Sequence, residues 1–211
     1  RIKKKSKLFK NILSNIIIKN FNFKLTENQK KIIEEINCDL KSGNKMFRLM
    51  QGDVGTGKTI VSLIAASNVI ESNFQTAFMA PTEILAEQHY NLAKTIFNGT
   101  NIKIGFLTGK TKASDKKIIF DKLINGKINL IVGTHALFQK TVLFKNLGLV
   151  IIDEQHKFGV KQRLELAYKG GNDCDILLMS ATPIPRTLIL TLYGDMDVSR
   201  LIEKPVNRKK I

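Results

Sequence analysis

The chain has 211 residues, 43% of them hydrophobic, which is enough to bury a core of its own and points to one domain with short appendages. Its two cysteines, Cys38 and Cys174, make neither a disulfide framework nor a C-x-x-C zinc spacing, and no stretch is long and apolar enough to span a membrane. Thirty-four Lys and Arg against 18 Asp and Glu give a net charge of +16, a field that attracts polyanions such as nucleic acid, although an AT-rich genome also yields such a Lys-, Ile- and Asn-rich composition.

In chain order, residues 1–22 are basic, with Leu8, Ile12, Leu13, Ile16 and Ile17 at near-helical spacing. This predicts a basic helical connector packed against an upstream domain. No small-residue cleavage site follows it, so it does not read as a secretory leader, and two unpaired cysteines point to a reducing cytoplasm. A start at Arg1 rather than Met reads as a piece of a longer protein. Residues 23–211 read as one domain. Thr26 is the expected N-cap of a helix carrying Ile32, Ile33 and Ile36 and ending near Gly43. Apolar runs at Met46–Met50, Thr76–Ala80, Ile102–Leu107, Ile128–Val132, Leu147–Ile152 and Ile176–Met179 alternate with helical patterns such as Ile84–Phe97 and Lys116–Ile124. The alternation predicts an α/β domain, a parallel sheet with helices on both faces and right-handed crossovers, and places ligands at the carboxyl ends of the strands.

Between the first strand and its helix lies GDVGTGKT, from Gly52 to Thr59, which fits the phosphate-binding loop G-x-x-x-x-G-K-[ST]. Unpaired N–H groups and the positive end of the helix dipole converge there, so the loop is an anion site. Gly52, Gly55 and Gly57 let the backbone approach phosphates, with Asp53, Val54 and Thr56 between them. Lys58 reaches the β/γ-phosphates and the Thr59 hydroxyl can ligate Mg²⁺. Asp153 and Glu154 follow directly on the strand Leu147–Ile152, where one carboxylate can hold Mg²⁺ and the other polarise the attacking water. ATP or GTP with Mg²⁺ is therefore the expected ligand, and no [NT]-K-x-D element for guanine appears.

The ordered series LTENQ, GDVGTGKT, APTEILAEQH, LTG, VGTHALFQ, DEQH, SATPIPRT resembles the first motor domain of superfamily 2 helicases. Within them, QGDVGTGKT, DEQHKFGVKQR and MSATPIPRTL are similar to the RecG family of branch-migrating DNA translocases. The motor of the transcription-repair coupling factor also shares ATPIPRTL but usually carries DEEH. The resemblance implies a RecA-like fold for residues 23–211, and catalytic roles for Lys58, Asp153, Glu154 and His156. It also implies adenine contacts from Gln29 with Phe23 stacking nearby, and coupling through Gln155, His156, Ser180, Ala181 and Thr182. Along a DNA backbone it places Pro81, Thr82, Glu83, Thr108, Gly109, Thr134 and His135. The implied partners are branched or duplex DNA, a second motor domain and an upstream wedge domain, with no membrane. The implied activity is ATP-dependent remodelling of forks and Holliday junctions; a switch that binds nucleic acid without translocating is the alternative from another class. Lys157 stands where the family usually has Arg, and a point charge cannot replace a planar fork in bidentate pairing.

Overall fold

The computed structural model describes residues 2–21, 24–154, 169–182 and 196–203. Its elements are α1 (Ile12–Phe21), α2 (Glu27–Lys41), β1 (Phe47–Gly52), α3 (Lys58–Glu71), β2 (Gln75–Met79), α4 (Glu83–Ile96), β3 (Ile104–Leu107), α5 (Ala113–Ile124), β4 (Leu130–Gly133), β5 (Leu147–Ile152), β6 (Asp175–Ser180) and β7 (Asp197–Leu201). The strands form one sheet in the order β3-β4-β2-β5-β6-β1-β7, and every pairing is parallel. Parallel strands are covered on both faces, which is why β2, β4, β5 and β6 are buried throughout. Alternate residues divide between two cores. Met50, Phe78, Val132, Ile151 and Leu177 face α1 to α4. Leu49, Ala77, Ile131, Val150 and Ile176 face the other way, toward Leu123 of α5 and Leu137 of a short 3-10 turn.

α2 follows the sequence expectation closely. Thr26 Oγ1 accepts from the Gln29 amide at 3.1 Å, Gln29 Oε1 accepts from the Thr26 amide at 2.9 Å, and Ile32, Ile36 and Leu40 are buried at four-residue intervals. α3 is buried from Ile60 to Ile70, sandwiched between the sheet and α1 and α2. β7 had no counterpart in the sequence reading. Its end is held to the start of α2: the Asn28 side chain accepts from the Ile202 amide at 3.0 Å, and the Asn28 amide donates to Glu203 Oε2 at 3.3 Å.

The basic N-terminal segment differs from the expected long helix. Among its described residues only Ile12–Phe21 is helical, and Leu8 and Ile12 are exposed. Residues 2–10 run as a strap over this same domain, bridging Lys3 to Asn44. The cause is a buried charge cluster. Lys4 Nζ and Lys7 Nζ both lie 2.7 Å from Asp175 Oδ2, with all three side chains fully buried, while Asp175 Oδ1 accepts from the Met46 amide at 2.7 Å. Turning Lys7 inward sends Leu8 outward, which breaks the helical pattern. Burial pushes the Lys4 ammonium below the usual lysine range, and Asp175 partly offsets it. α1 itself is pinned at both ends. Glu71 accepts from the Lys10 and Leu13 amides, a carboxylate at a helix N-terminus, and Asn20 Nδ2 donates to the carbonyls of Ile96 and Asn98 at the end of α4.

The two cysteines contrast. Cys174 is buried, its thiol pushed up to about 12 by desolvation, whereas Cys38 lies exposed on α2. Among the described residues no helix is long and apolar enough to cross a membrane.

Removing one partner from a buried ion cluster leaves the others uncompensated, at a cost of about 3–5 kcal/mol. Asp175→Asn is therefore expected to lower the urea-unfolding free energy by that order and to expose the amides of residues 4–10 to hydrogen exchange. A loss below about 1 kcal/mol, typical of an exposed pair, would mean that packing rather than charge holds the strap.

Candidate nucleotide and DNA site

All strands being parallel, their carboxyl ends share one rim, and the strand order sorts the motifs along it. The phosphate-binding loop leaves β1, Asp153 and Glu154 leave β5, and Ser180–Thr182 leave β6, three neighbouring strands. Pro81–Glu83 leave β2, Thr108–Gly109 leave β3, and Thr134–His135 leave β4, the other three neighbours. The motifs expected to hold nucleotide and those expected to lie along DNA thus occupy adjoining halves of one surface, meeting between β2 and β5.

In the loop, Gly55 and Gly57 have φ of 93° and 86°, left-handed values that favour glycine. Gly57 matters doubly, because a Cβ there would strike the Gln29 amide nitrogen. That nitrogen donates to the Thr56 carbonyl at 2.8 Å. Gln29 is 1% exposed, so both ends of its amide are engaged, one on the helix cap and one on the loop. The expected adenine-contacting residue is here a brace beneath the phosphate-binding loop. Thr56 closes the loop from its other side, donating from Oγ1 to the Asp53 carbonyl at 2.9 Å. Gly52 pairs in register with Leu201 of β7, and a Cβ on it would meet the Leu201 carbonyl at 2.7 Å.

Lys58 opens α3, and its Nζ donates to the carbonyls of Gly52 and Asp53, inside the loop. Burial pushes its ammonium below the usual lysine range, while Asp153, Glu154 and Asp53 pull it back toward the charged form. Lys58, Thr59, Asp153 and Glu154 line one cavity of about 490 Å³, with Phe21, Ile60, Leu85 and Leu92 forming an apolar wall. A larger cavity of about 800 Å³ lies beside the start of β3, between Tyr90, Lys94, Ile104 and Lys122, and none of its lining residues belongs to a nucleotide motif.

Asp153 is held from three sides. Its amide donates to the Met79 carbonyl at 2.9 Å, its Oδ1 accepts from the Glu154 amide at 2.9 Å, and its Oδ2 lies 2.7 Å from His89 Nε2. Glu154 has φ of 45°, a left-handed backbone that costs a non-glycine residue roughly 1–3 kcal/mol and recurs at functional sites. The donor chemistry suits Mg²⁺. Among the described residues no group of three or more His, Cys, Asp and Glu forms a metal cage, and Mg²⁺ typically takes one carboxylate, a hydroxyl and substrate phosphates instead. Asp153 and Thr59 supply such a pair.

The turn at Ser180 is knotted locally: Ser180 Oγ lies 3.0 Å from Thr182 Oγ1 and accepts from the Thr182 amide at 3.1 Å. Ala181 sits between them, half-buried. On the half expected to meet DNA, Thr82 caps α4 through the Leu85 amide at 3.3 Å, and Glu83 pairs with Lys110 at 2.6 Å. Gly109 and His135 are exposed, whereas Thr108 and Thr134 are buried. Phe23, Gln155 and His156 lie outside the described residues, as does Lys157. Sequence reasoning missed Phe21, which supplies an aromatic wall of the cavity, and His89, whose partner is 64 positions away.

The profile of the DEAD/DEAH box helicase family matches residues 26–190. The chain belongs to the DEAD/DEAH box helicase family. It is 52% identical over 199 residues to the ATP-dependent DNA helicase RecG of Thermotoga maritima, covering 94% of this chain and 25% of that protein. With the RecG of Borreliella burgdorferi it shares 49% over 209 residues, 99% of this chain and 30% of that one. A solved structure of RecG bound to a three-way DNA junction superposes with a TM-score of 0.85 at 47% identity, over 99% of this chain and 28% of that chain. The helicase domain is RecA-like. It spans 23% to 30% of the length of these curated relatives. These likenesses do not favour the transcription-repair coupling motor or the non-translocating switch.

Gln29→Ala removes the brace and leaves the buried Thr56 carbonyl unpaired, a loss of about 1–3 kcal/mol. Binding of fluorescent ATP and GTP analogues is expected to weaken together, by roughly tenfold. A loss confined to the adenine nucleotide would instead make Gln29 a base-reading residue.

Proposed function

We propose that this chain is the first motor domain of a RecG-type ATP-dependent DNA translocase that remodels branched DNA such as stalled forks and Holliday junctions. The observation that carries the reading is the single rim, on which the phosphate-binding loop, Asp153 and Ser180 leave β1, β5 and β6 beside the Pro81–Glu83, Thr108–Gly109 and Thr134–His135 turns of β2, β3 and β4. The DNA junction held by the related RecG structure supports DNA as the partner.

In this reading the loop amides and Lys58 hold the ATP phosphates, and Thr59 and Asp153 hold Mg²⁺. When bound, the ion neutralises charge on the β- and γ-phosphate oxygens. Glu154 accepts the proton of the attacking water, its backbone fixed by the bond to Asp153. The knotted Ser180–Thr182 turn, beside the loop through β6 and β1, passes the change in nucleotide state to a second motor domain joined downstream. That domain, not the residues described here, supplies the arginine that completes the transition-state charge, and an upstream wedge domain engages the branch point. The turns at Thr82, Thr108 and Thr134 hold the phosphodiester backbone and so position without reading sequence.

Lys58→Ala is expected to weaken binding of a fluorescent ATP analogue, whereas Glu154→Gln keeps it and lowers turnover by about 10²–10⁴-fold. Phosphate release is read on the chain alone, where it is slow and indifferent to forked DNA, and on the chain joined to its downstream motor domain, where DNA stimulates it. Full DNA-stimulated hydrolysis by the 211 residues alone would overturn the two-domain motor.

DNA affinity is expected to be weak, independent of base sequence, and to fall linearly with the logarithm of salt concentration, as counterion release requires. Fluorescence anisotropy with duplexes of two sequences at several salt concentrations reads this. A flat salt response would refute backbone contact.

A further inference from the structure

We propose that His89 is a positioning residue for the metal-holding carboxylate: it fixes the plane of Asp153 and thereby sets the affinity of the site for Mg²⁺. The inference rests on the reading of Asp153 as a metal ligand. His89 closes the motif APTEILAEQH, which by itself gives the residue no such role. On α4 it belongs to the buried stripe Ala86, His89, Ala93, Ile96, where the helical period calls for an apolar side chain. A polar ring placed there has to be matched. The match is Asp153 Oδ2, 2.7 Å from Nε2, with the ring 7% exposed.

An ionised carboxylate only accepts, so Nε2 carries the proton and donates. The other oxygen, Oδ1, is already held by the Glu154 amide at 2.9 Å. With one donor on each oxygen, the carboxylate's soft terminal torsion has a single orientation. The ring cannot swing away, because it stacks on Phe78 of β2 with centroids 4.6 Å apart and planes inclined by 26°. Small residues one turn either side, Ala86 and Ala93, leave it room beneath α4. His89 lines the same cavity as Lys58, Thr59 and Asp153, so the brace stands at the site and not behind it.

The first variant is His89→Leu, which removes the donor while suiting the apolar stripe; His89→Gln restores an N–H of similar reach. The probe is Mg²⁺ titrated into the chain with a fluorescent ATP analogue, reading the half-saturating Mg²⁺ concentration, the analogue's affinity in EDTA, and Tm. Loss of a partner that orients a metal ligand typically costs about 10–100-fold in metal affinity. His89→Leu is expected to raise the Mg²⁺ requirement by that factor with EDTA affinity unchanged, and His89→Gln to recover most of it. An unchanged Mg²⁺ requirement in a folded His89→Leu, or a His89→Gln that matches His89→Leu, overturns the proposal and leaves His89 a packing residue. If His89→Leu does not fold, His89→Gln with a donor-free comparison, His89→Met, decides between the same outcomes. Asp153→Ala separates the two levels: an unaltered Mg²⁺ requirement there would refute the metal role of Asp153 itself, whereas a lost response with an unaffected His89→Leu refutes only the positioning.

Discussion

Everything at this site depends on all seven strands running the same way. Parallel pairing requires a crossover after every strand, so each strand's carboxyl end opens into a loop on the same rim. An antiparallel edge would have sent some motifs to the far side. The sequence separation between the phosphate-binding loop and Asp153 is then irrelevant, since β1 and β5 sit two places apart with only β6 between them. Strand order does the remaining work, collecting the loops of β2, β3 and β4 on the adjoining half.

Within that frame, the phosphate-binding loop is held from outside itself. Gln29 braces it from α2, Gly52 abuts Leu201 of β7, and Asn28 ties the end of β7 back to the start of α2. Arg48 closes the same corner, donating from Nε to Asp39 at 2.8 Å and from Nη1 to Ser199 at 2.6 Å. Loop, helix start and β7 are therefore tied together by one set of contacts.

Much of this was legible in the sequence where the cause is local. The capping box of α2 lies within four residues, the glycine loop within eight, and the continuous apolar run of β5 announces a strand buried on both faces. What was not legible depends on distant partners. The N-terminal segment carries a helical pattern, yet Asp175, 168 positions from Lys7, captures the lysine and straightens the strap. β7, as DVSRL, sits on the sheet edge with a pattern too mixed to read as a strand, and its place is fixed only by pairing with β1. His89 looked like an ordinary helical residue until Asp153 was brought against it. Gln29 was singled out as an adenine contact, whereas the bond it makes to the Thr56 carbonyl, 27 positions away, could not be read from the sequence.

The contrast between the two thiols gives the protein an experimental handle. At neutral pH a thiol raised to about 12 and sealed beneath Gly170 is inert to alkylating reagents, leaving Cys38 as the single site that a maleimide would find. Cys38 rides on α2, the helix whose first turn braces the nucleotide loop and anchors the outgoing strand. A fluorophore attached there, with no engineering of the chain, would sit on the helix that joins the phosphate-binding loop to β7.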